Sequence, residues 1–212
     1  MGPGSSDTVD AEWRHFETLE LTPILEAALE VFYEHGFHGT TVRELARRVG
    51  LTVPALYYHY ENKEGILVAL LEMSTGDLSW RVRAAAEAAG ASPEARLANV
   101  IEAIALHMTL RSRLAALDSE TRHLSADNRK RYAMRRKEIE NLMFEIVESG
   151  AYAGTFVAPE PVETARALLG MCQSIARWYH PGGALSPHEV AERYVDIALR
   201  TVGSRKASRT KR

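Results

Sequence analysis

Tyr57, Tyr58 and His59 stand side by side at the end of the stretch Thr52-Val-Pro-Ala-Leu-Tyr-Tyr-His59. Two phenol hydroxyls and an imidazole nitrogen can hydrogen-bond phosphate oxygens, while the rings can lie against a sugar or a thymine methyl. This is chemistry for gripping a charged backbone, so these side chains should anchor more than they specify. The competing reading makes such rings plain core. Tyr57 and Tyr58 are read as surface, because two large rings on a short exposed helix need a partner.

Chemistry that makes or breaks bonds is poorly represented. The eight histidines show no ligand pair at i, i+4, and neither a glycine-rich phosphate loop nor a nucleophile elbow occurs. His35 and His38 fall near a helix end, where favourable charge placement explains them. The single cysteine, Cys172, excludes an internal disulfide framework and a cysteine metal cluster, and reads as a small buried hydrophobe. No enzyme activity, metal or cofactor is expected.

The elements that must carry the Tyr57–His59 row follow from caps and periodicity. Thr22 can cap a helix with Pro23 in its first turn and Leu25, Leu29 and Phe32 on one face, stopped by Gly36. Thr41-Val-Arg-Glu44 has the form of a capping box opening a short helix to Val49. Gly50 supplies the positive φ that ends it, Leu51 enters the core, and Thr52 caps the next helix with Pro54 early in it. Ala46 is the small residue two crossed helices need at their contact, and Leu45, Val49, Leu51 and Leu56 can lock the crossing. The result is a helix-turn-helix that presents Thr52 to His59 to a major groove about 12 Å wide.

Beyond it, Lys63 opens a long helix, and helices are expected from Pro93 to about Leu117, from about Asn128 to Glu148 and over Pro161 to Tyr179. Ser186-Pro-His-Glu189 is a second capping box, opening a last amphipathic helix with Val190, Tyr194, Ile197 and Ala198 on one face. No segment alternates with period two. The expected class is all-α, about nine helices, with an N-terminal three-helix helix-turn-helix domain and a C-terminal helical domain. The divisions read 1–20 mostly disordered, 21–66 helix-turn-helix, 67–202 C-terminal domain, and 203–212 a basic disordered tail.

Composition agrees with a globular chain: 212 residues, 46% apolar and 25% charged. No apolar run is long enough for a membrane span, and Met1 to Asp10 has neither a basic start nor an apolar stretch, so a cytoplasmic protein without membrane attachment is expected. The net charge of −2 gives no global pull toward nucleic acid. Even Thr22 to Ile66 holds six glutamates against four bases. Within Thr40 to Lys63, however, Arg43, Arg47, Arg48 and Lys63 face only Glu44 and Glu61.

Gly39-Thr-Thr-Val-Arg-Glu-Leu-Ala-Arg-Arg-Val-Gly-Leu51, with Pro54-Ala-Leu-Tyr-Tyr-His-Tyr60 and Asn62-Lys-Glu-Gly-Ile-Leu67, closely resembles the DNA-binding domain of TetR-family repressors. The resemblance implies a first helix bracing the motif, a fourth linking it to the body, and a C-terminal dimerising domain with a ligand cavity. It places Thr41, Arg43 and Lys63 on backbone phosphates and puts Thr52, Val53, Pro54 and Ala55 where family members meet bases. Tyr60 falls where the family uses a buried ring. The set expected to contact an operator in duplex DNA is therefore Thr41, Arg43, Thr52, Val53, Pro54, Ala55, Tyr57, Tyr58, His59 and Lys63. None of the first-turn residues of the recognition helix carries the bidentate amide or guanidinium used for A or G, so direct readout should be sparse and DNA shape important.

A homodimer is expected, since two motifs one helical turn of DNA apart bind jointly. Leu168, Ile175, Trp178, Tyr179, Tyr194 and Ile197 on the last two helices offer apolar surface for an isologous interface, with a monomer core as the alternative. The segment Ala176-Arg-Trp-Tyr-His-Pro-Gly-Gly-Ala-Leu-Ser186 resembles a subset of the family that regulates fatty-acid and sterol catabolism, several members of which respond to acyl-CoA thioesters. A compatible pocket for a small hydrophobic effector is assigned to Leu106, Met108, Met143, Phe144, Met171, Cys172 and Gln173, residues that equally suit a plain core. The basic run Arg129 to Lys137 is read as a solvated face. The expected function is a transcription repressor released by its effector; the alternative is a helical protein-binding adaptor that keeps the fold without operator binding.

Overall fold

The structure, a computed structural model, describes residues 12–204. Nine α-helices and one 3-10 segment occur among them, and no strand, as the periodicity implies. In order they are α1 (Pro23–Gly39), α2 (Val42–Arg48), α3 (Val53–His59), α4 (Lys63–Ala88), α5 (Pro93–Leu110), α6 (Ser112–Ala116), the 3-10 segment (Leu117–His123), α7 (Ala126–Tyr152), α8 (Pro161–Trp178) and α9 (Pro187–Thr201).

Side-chain caps open the helices where the sequence places them. Thr22, Thr52 and Ser92 each accept a backbone N–H three residues on, at 3.3 to 3.4 Å, and a proline follows each within two residues. At Ser186 both halves of the capping box form, with Glu189 returning to the Ser186 N–H at 2.8 Å. At Thr41 only the threonine half forms, by accepting the Glu44 N–H at 3.2 Å. The Glu44 carboxylate turns instead to Arg48 at 3.9 Å.

The helix expected to run from Pro93 to about Leu117 ends at Leu110, then continues as α6 and the 3-10 segment. Local bonds explain the change of winding. Ser119 Oγ donates to the Ala116 carbonyl at 2.9 Å and Thr121 Oγ1 to the Asp118 carbonyl at 2.7 Å, drawing backbone acceptors toward side chains.

The chain forms two compact units. One holds residues 17–76 and 113–135; the other holds 77–112 and 136–204 together with 12–16. This division differs from a single cut near residue 66. Leu114, Leu117 and Leu124 share one core with Leu25, Phe32, Leu45, Leu56 and Leu67, so that core is closed by a stretch far along the chain.

In the second unit, α5 packs against α8 and, most extensively, α9. Its interior includes a charged cluster. Asp77 binds Arg81 Nε through both oxygens at 3.0 and 3.1 Å and His107 Nδ1 at 3.1 Å, with Arg111 Nε at 3.9 Å. Arg81 Nη1 donates to the Trp13 and His15 carbonyls at 2.7 and 2.9 Å, and its guanidinium lies 3.5 Å over the Phe16 ring. Within 1–20, expected to be mostly disordered, Trp13, His15 and Phe16 are thus held by Arg81. Trp13 is wholly buried, since a buried arginine must find acceptors and takes them from this segment. Residues 1–11 of that start, and residues 205–212 of the basic tail expected over 203–212, lie outside the described residues.

Candidate nucleic-acid interface

The helix-turn-helix is built by a helix stop followed at once by a helix start. Gly50 takes φ 68°, its N–H bonds the Arg47 carbonyl at 3.3 Å, and the Leu51 N–H reaches back to the Ala46 carbonyl at 2.9 Å. Those two bonds make a Schellman stop, and Thr52 then caps α3. Ala46, Leu45 and Leu56 are buried, while Val42, Val49, Leu51 and Tyr60 pack partly buried on the same core. The joint is thus fixed by backbone bonds on one side and apolar contacts on the other.

What α3 leaves outward is the aromatic row. Tyr57 is 46% exposed and Tyr58 89% exposed, His59 is exposed, and the Tyr58 and His59 rings meet edge to face at 5.6 Å. Leu56 alone on this helix is buried, which separates the core residue from its outward neighbours. Thr52 and Pro54 are exposed at the helix start, and Val53 and Ala55 are half-buried. Tyr60 turns to the core, as its position implied.

The flanking cations divide into three cases. Arg43 is exposed and makes no ion pair among the described residues; Thr41 beside it is exposed as well. Arg48 is held by Glu30 at 3.5 Å, Glu34 at 3.4 Å and Glu44 at 3.9 Å. One guanidinium thus faces three carboxylates of α1 and α2, so the cluster stays net negative. Lys63 departs most from a phosphate ligand. Its ammonium donates to the Phe37 carbonyl at 2.5 Å and the Thr40 carbonyl at 2.7 Å and sits 4.2 Å over the Phe37 ring. Burial draws its pKa below the usual lysine value. Two of its three donors cap the end of α1, leaving one for any phosphate.

The same joint holds groups that sequence reasoning missed. Gly36 adopts φ 69° and interrupts α1, and the Phe37 N–H is taken by the carboxylate of Glu120 at 2.9 Å. His123 stacks on Phe37 at 5.8 Å, meets His38 edge-on at 4.1 Å and approaches Glu120 at 3.6 Å. Burial first, then His38 and Arg122, hold the His123 pKa below the usual histidine range. These partners lie more than eighty residues from Phe37, beyond any local pattern.

Residues 24–70 match the family model for bacterial regulatory proteins of the tetR family, and residues 90–202 match the tetracyclin repressor-like C-terminal domain. The chain belongs to the TetR family. It is 33% identical over 184 residues to the HTH-type transcriptional repressor KstR2 of Rhodococcus jostii, covering 84% of this chain and 88% of that protein. Among solved structures, the ketosteroid transcriptional regulator KstR2 of Mycobacterium tuberculosis is similar with a TM-score of 0.79 at 25% identity, over 87% of this chain and 96% of that one. AibR, solved in complex with isovaleryl coenzyme A and operator DNA, is similar with a TM-score of 0.75 at 25% identity, over 82% and 95% of the two chains. This TetR-family chain is therefore a DNA-binding regulator of transcription, not an enzyme.

The other expected sites of the TetR-family chain lie in the second unit. Leu106, Met108, Met143 and Cys172 are buried there, and Phe144, Met171 and Gln173 are half-buried. Burial pushes the Cys172 thiol up to about 12, far from a reactive thiolate. Of the residues assigned to self-association, Leu168, Ile175 and Tyr179 are already buried within the chain, because α8 spends that face on its own core. Trp178 (42% exposed), Tyr194 and Ile197 (44% exposed) remain accessible, with the Trp178 and Tyr194 rings stacked at 6.3 Å. The basic run is a solvated face: Arg131 and Arg135 pair with Glu72, and Lys137 with Glu140. Among the described residues no helix is long and apolar enough to cross a membrane, and no group of three metal-binding side chains occurs.

Proposed function

We propose that the chain is a homodimeric repressor that holds its operator through the Tyr57–Tyr58–His59 row and releases it on binding an acyl-CoA thioester. The exposed aromatic row on a rigid α3 carries the DNA half of this reading. Hydroxyl and ring-nitrogen donors, with Thr41, Arg43 and one remaining Lys63 donor, meet phosphates; Thr52, Val53, Pro54 and Ala55 meet base edges mainly by methyl contact. The exposed Trp178, Tyr194 and Ile197 supply the self-association surface, and two copies present their α3 helices to half-sites about 34–36 Å apart.

The effector half rests on the likeness to AibR, whose structure holds both isovaleryl coenzyme A and operator DNA. In this chain the acyl part would lodge among Leu106, Met108, Met143, Phe144, Met171, Cys172 and Gln173, where thioether side chains adapt to an aliphatic guest. Release follows only if the ligand binds the DNA-incompetent dimer more tightly than the DNA-bound one. The test begins with selection of bound fragments from sheared genomic DNA, then titration of acyl-CoAs of increasing chain length into the protein–operator complex, read by fluorescence anisotropy. Release by one thioester at concentrations that saturate the free protein supports the proposal. Stable complexes throughout the series defeat the effector half, and failure to select any duplex defeats the DNA half.

A further inference from the structure

We infer that Glu120 is a positioning residue for operator binding: its carboxylate, carried by the 3-10 segment, fixes the joint between α1 and the helix-turn-helix by capping the Phe37 N–H. The inference deepens the DNA-binding reading and rests on it.

Gly36 turns the chain into the left-handed region and breaks the α1 bond pattern at Phe37. A buried N–H released in this way must find another acceptor. Glu120, only 9% exposed, supplies it at 2.9 Å, and a Cβ at Gly36 would lie 3.8 Å from the same oxygen. The carboxylate therefore sits directly over the turn. The remaining polar groups of the joint are satisfied around it. Lys63 takes the Phe37 and Thr40 carbonyls, and Thr40, itself buried, donates to the Gly36 carbonyl at 2.8 Å.

Thr40 is followed at once by Thr41, which caps α2 and stands in the expected contact set. Shifting Phe37 thus shifts the start of α2, and with it the Schellman joint that aims α3. Glu120 touches no DNA in this arrangement. It comes from the stretch matched by the C-terminal family model, so part of the operator grip is set by sequence outside the helix-turn-helix. His123 approaches Glu120 at 3.6 Å and stacks on Phe37, which holds the carboxylate in register.

The test uses full-length protein and the duplex it selects from genomic DNA. Glu120→Gln keeps an acceptor at the same reach and should bind within about twofold of the parent, whereas Glu120→Ala and Glu120→Asp, the latter withdrawn by one methylene, should each weaken binding by about tenfold or more. The slope of log K against log salt should stay unchanged in all three, because no phosphate contact is removed. A merely structural residue would lower the melting temperature while the folded protein kept its affinity. Folded Glu120→Asp with parental affinity overturns the inference, as does failure of Glu120→Gln to bind. The parent's own hold on the duplex is established first, so loss of the DNA-binding reading shows separately.

Discussion

Replacing Asp77 by asparagine probes the charged cluster beneath residues 13–16, and its consequences can be worked through in sign and size. In the native chain the carboxylate faces Arg81, which is 4% exposed, and His107, which is 1% exposed. Although burial alone would raise the Asp77 pKa, His107 and then Arg81 outweigh it, and the group falls from 3.8 to about 2. Burial dominates at His107, whose pKa is lowered despite Asp77 beside it. The imidazole is thus neutral at pH 7 and donates Nδ1–H to the carboxylate. Two pH effects of known direction follow. Below the unfolded histidine value of about 6.5, the unfolded chain binds a proton that native His107 refuses, costing up to about 1.4 kcal/mol per pH unit until the lowered native value is reached. Asp77 contributes about 2 kcal/mol above pH 3.8, and this is lost as pH falls toward 2.

Asp77→Asn keeps the shape but leaves a buried guanidinium without its carboxylate, which should cost about 3 kcal/mol at pH 7. It also removes the group that raises the His107 pKa, so the slope below pH 6.5 should extend further into acid. Urea unfolding followed by circular dichroism from pH 4 to pH 8, at one fixed protein concentration because a dimer is involved, measures both quantities. The double change Asp77→Asn with Arg81→Met should recover much of the loss by removing the stranded charge. A single mutant within about 0.5 kcal/mol of the parent at pH 7, with the same acid slope, refutes the argument.

Other expectations concern the interface and the packing. Tyr58→Ala and Tyr57→Ala should each weaken operator binding about tenfold, yet leave the urea midpoint nearly unmoved at Tyr58, whose ring is 89% exposed. Arg43→Ala should lower the magnitude of the salt slope by about 0.9 for each half-site, measured by anisotropy between 50 and 200 mM salt, if that guanidinium meets a phosphate. Gly150→Ala should destabilise by about 1–3 kcal/mol or prevent folding, since a Cβ there overlaps the buried Phe156 ring; a parental urea midpoint would show that the ring has room to move.

Legibility in the sequence followed the range of the interactions. The Ala46–Leu51 stop, the Thr52 cap and the outward Tyr57–His59 row lie within fourteen residues of one another, and propensity and spacing suffice to place them. The Thr41 box formed only by half, because Arg48 offered Glu44 a charged partner that the box pattern ignores. The resemblance puts Lys63 on a backbone phosphate, but two carbonyls of the preceding joint claim two of its donors. Trp13 to Phe16 read as disorder because their anchor, Arg81, is some 65 residues away, and nothing in the sequence marks what Arg81, one of two arginines in its helix, binds. On α8, Leu168, Ile175 and Trp178 look alike as apolar residues, and only packing against α5 decides which stay inside. Glu120 was invisible for a related reason: its partner is a backbone N–H, which has no sequence signature.

The discontinuous make-up of the helix-turn-helix unit bears on how such regulators can be recombined. A fragment ending near residue 76 would contain every expected DNA contact but expose the surface that Leu114, Leu117 and Leu124 cover, and it would lose the carboxylate over Phe37. Transplanting this operator preference onto another sensor therefore calls for a two-piece graft, with residues 113–135 travelling alongside the N-terminal segment.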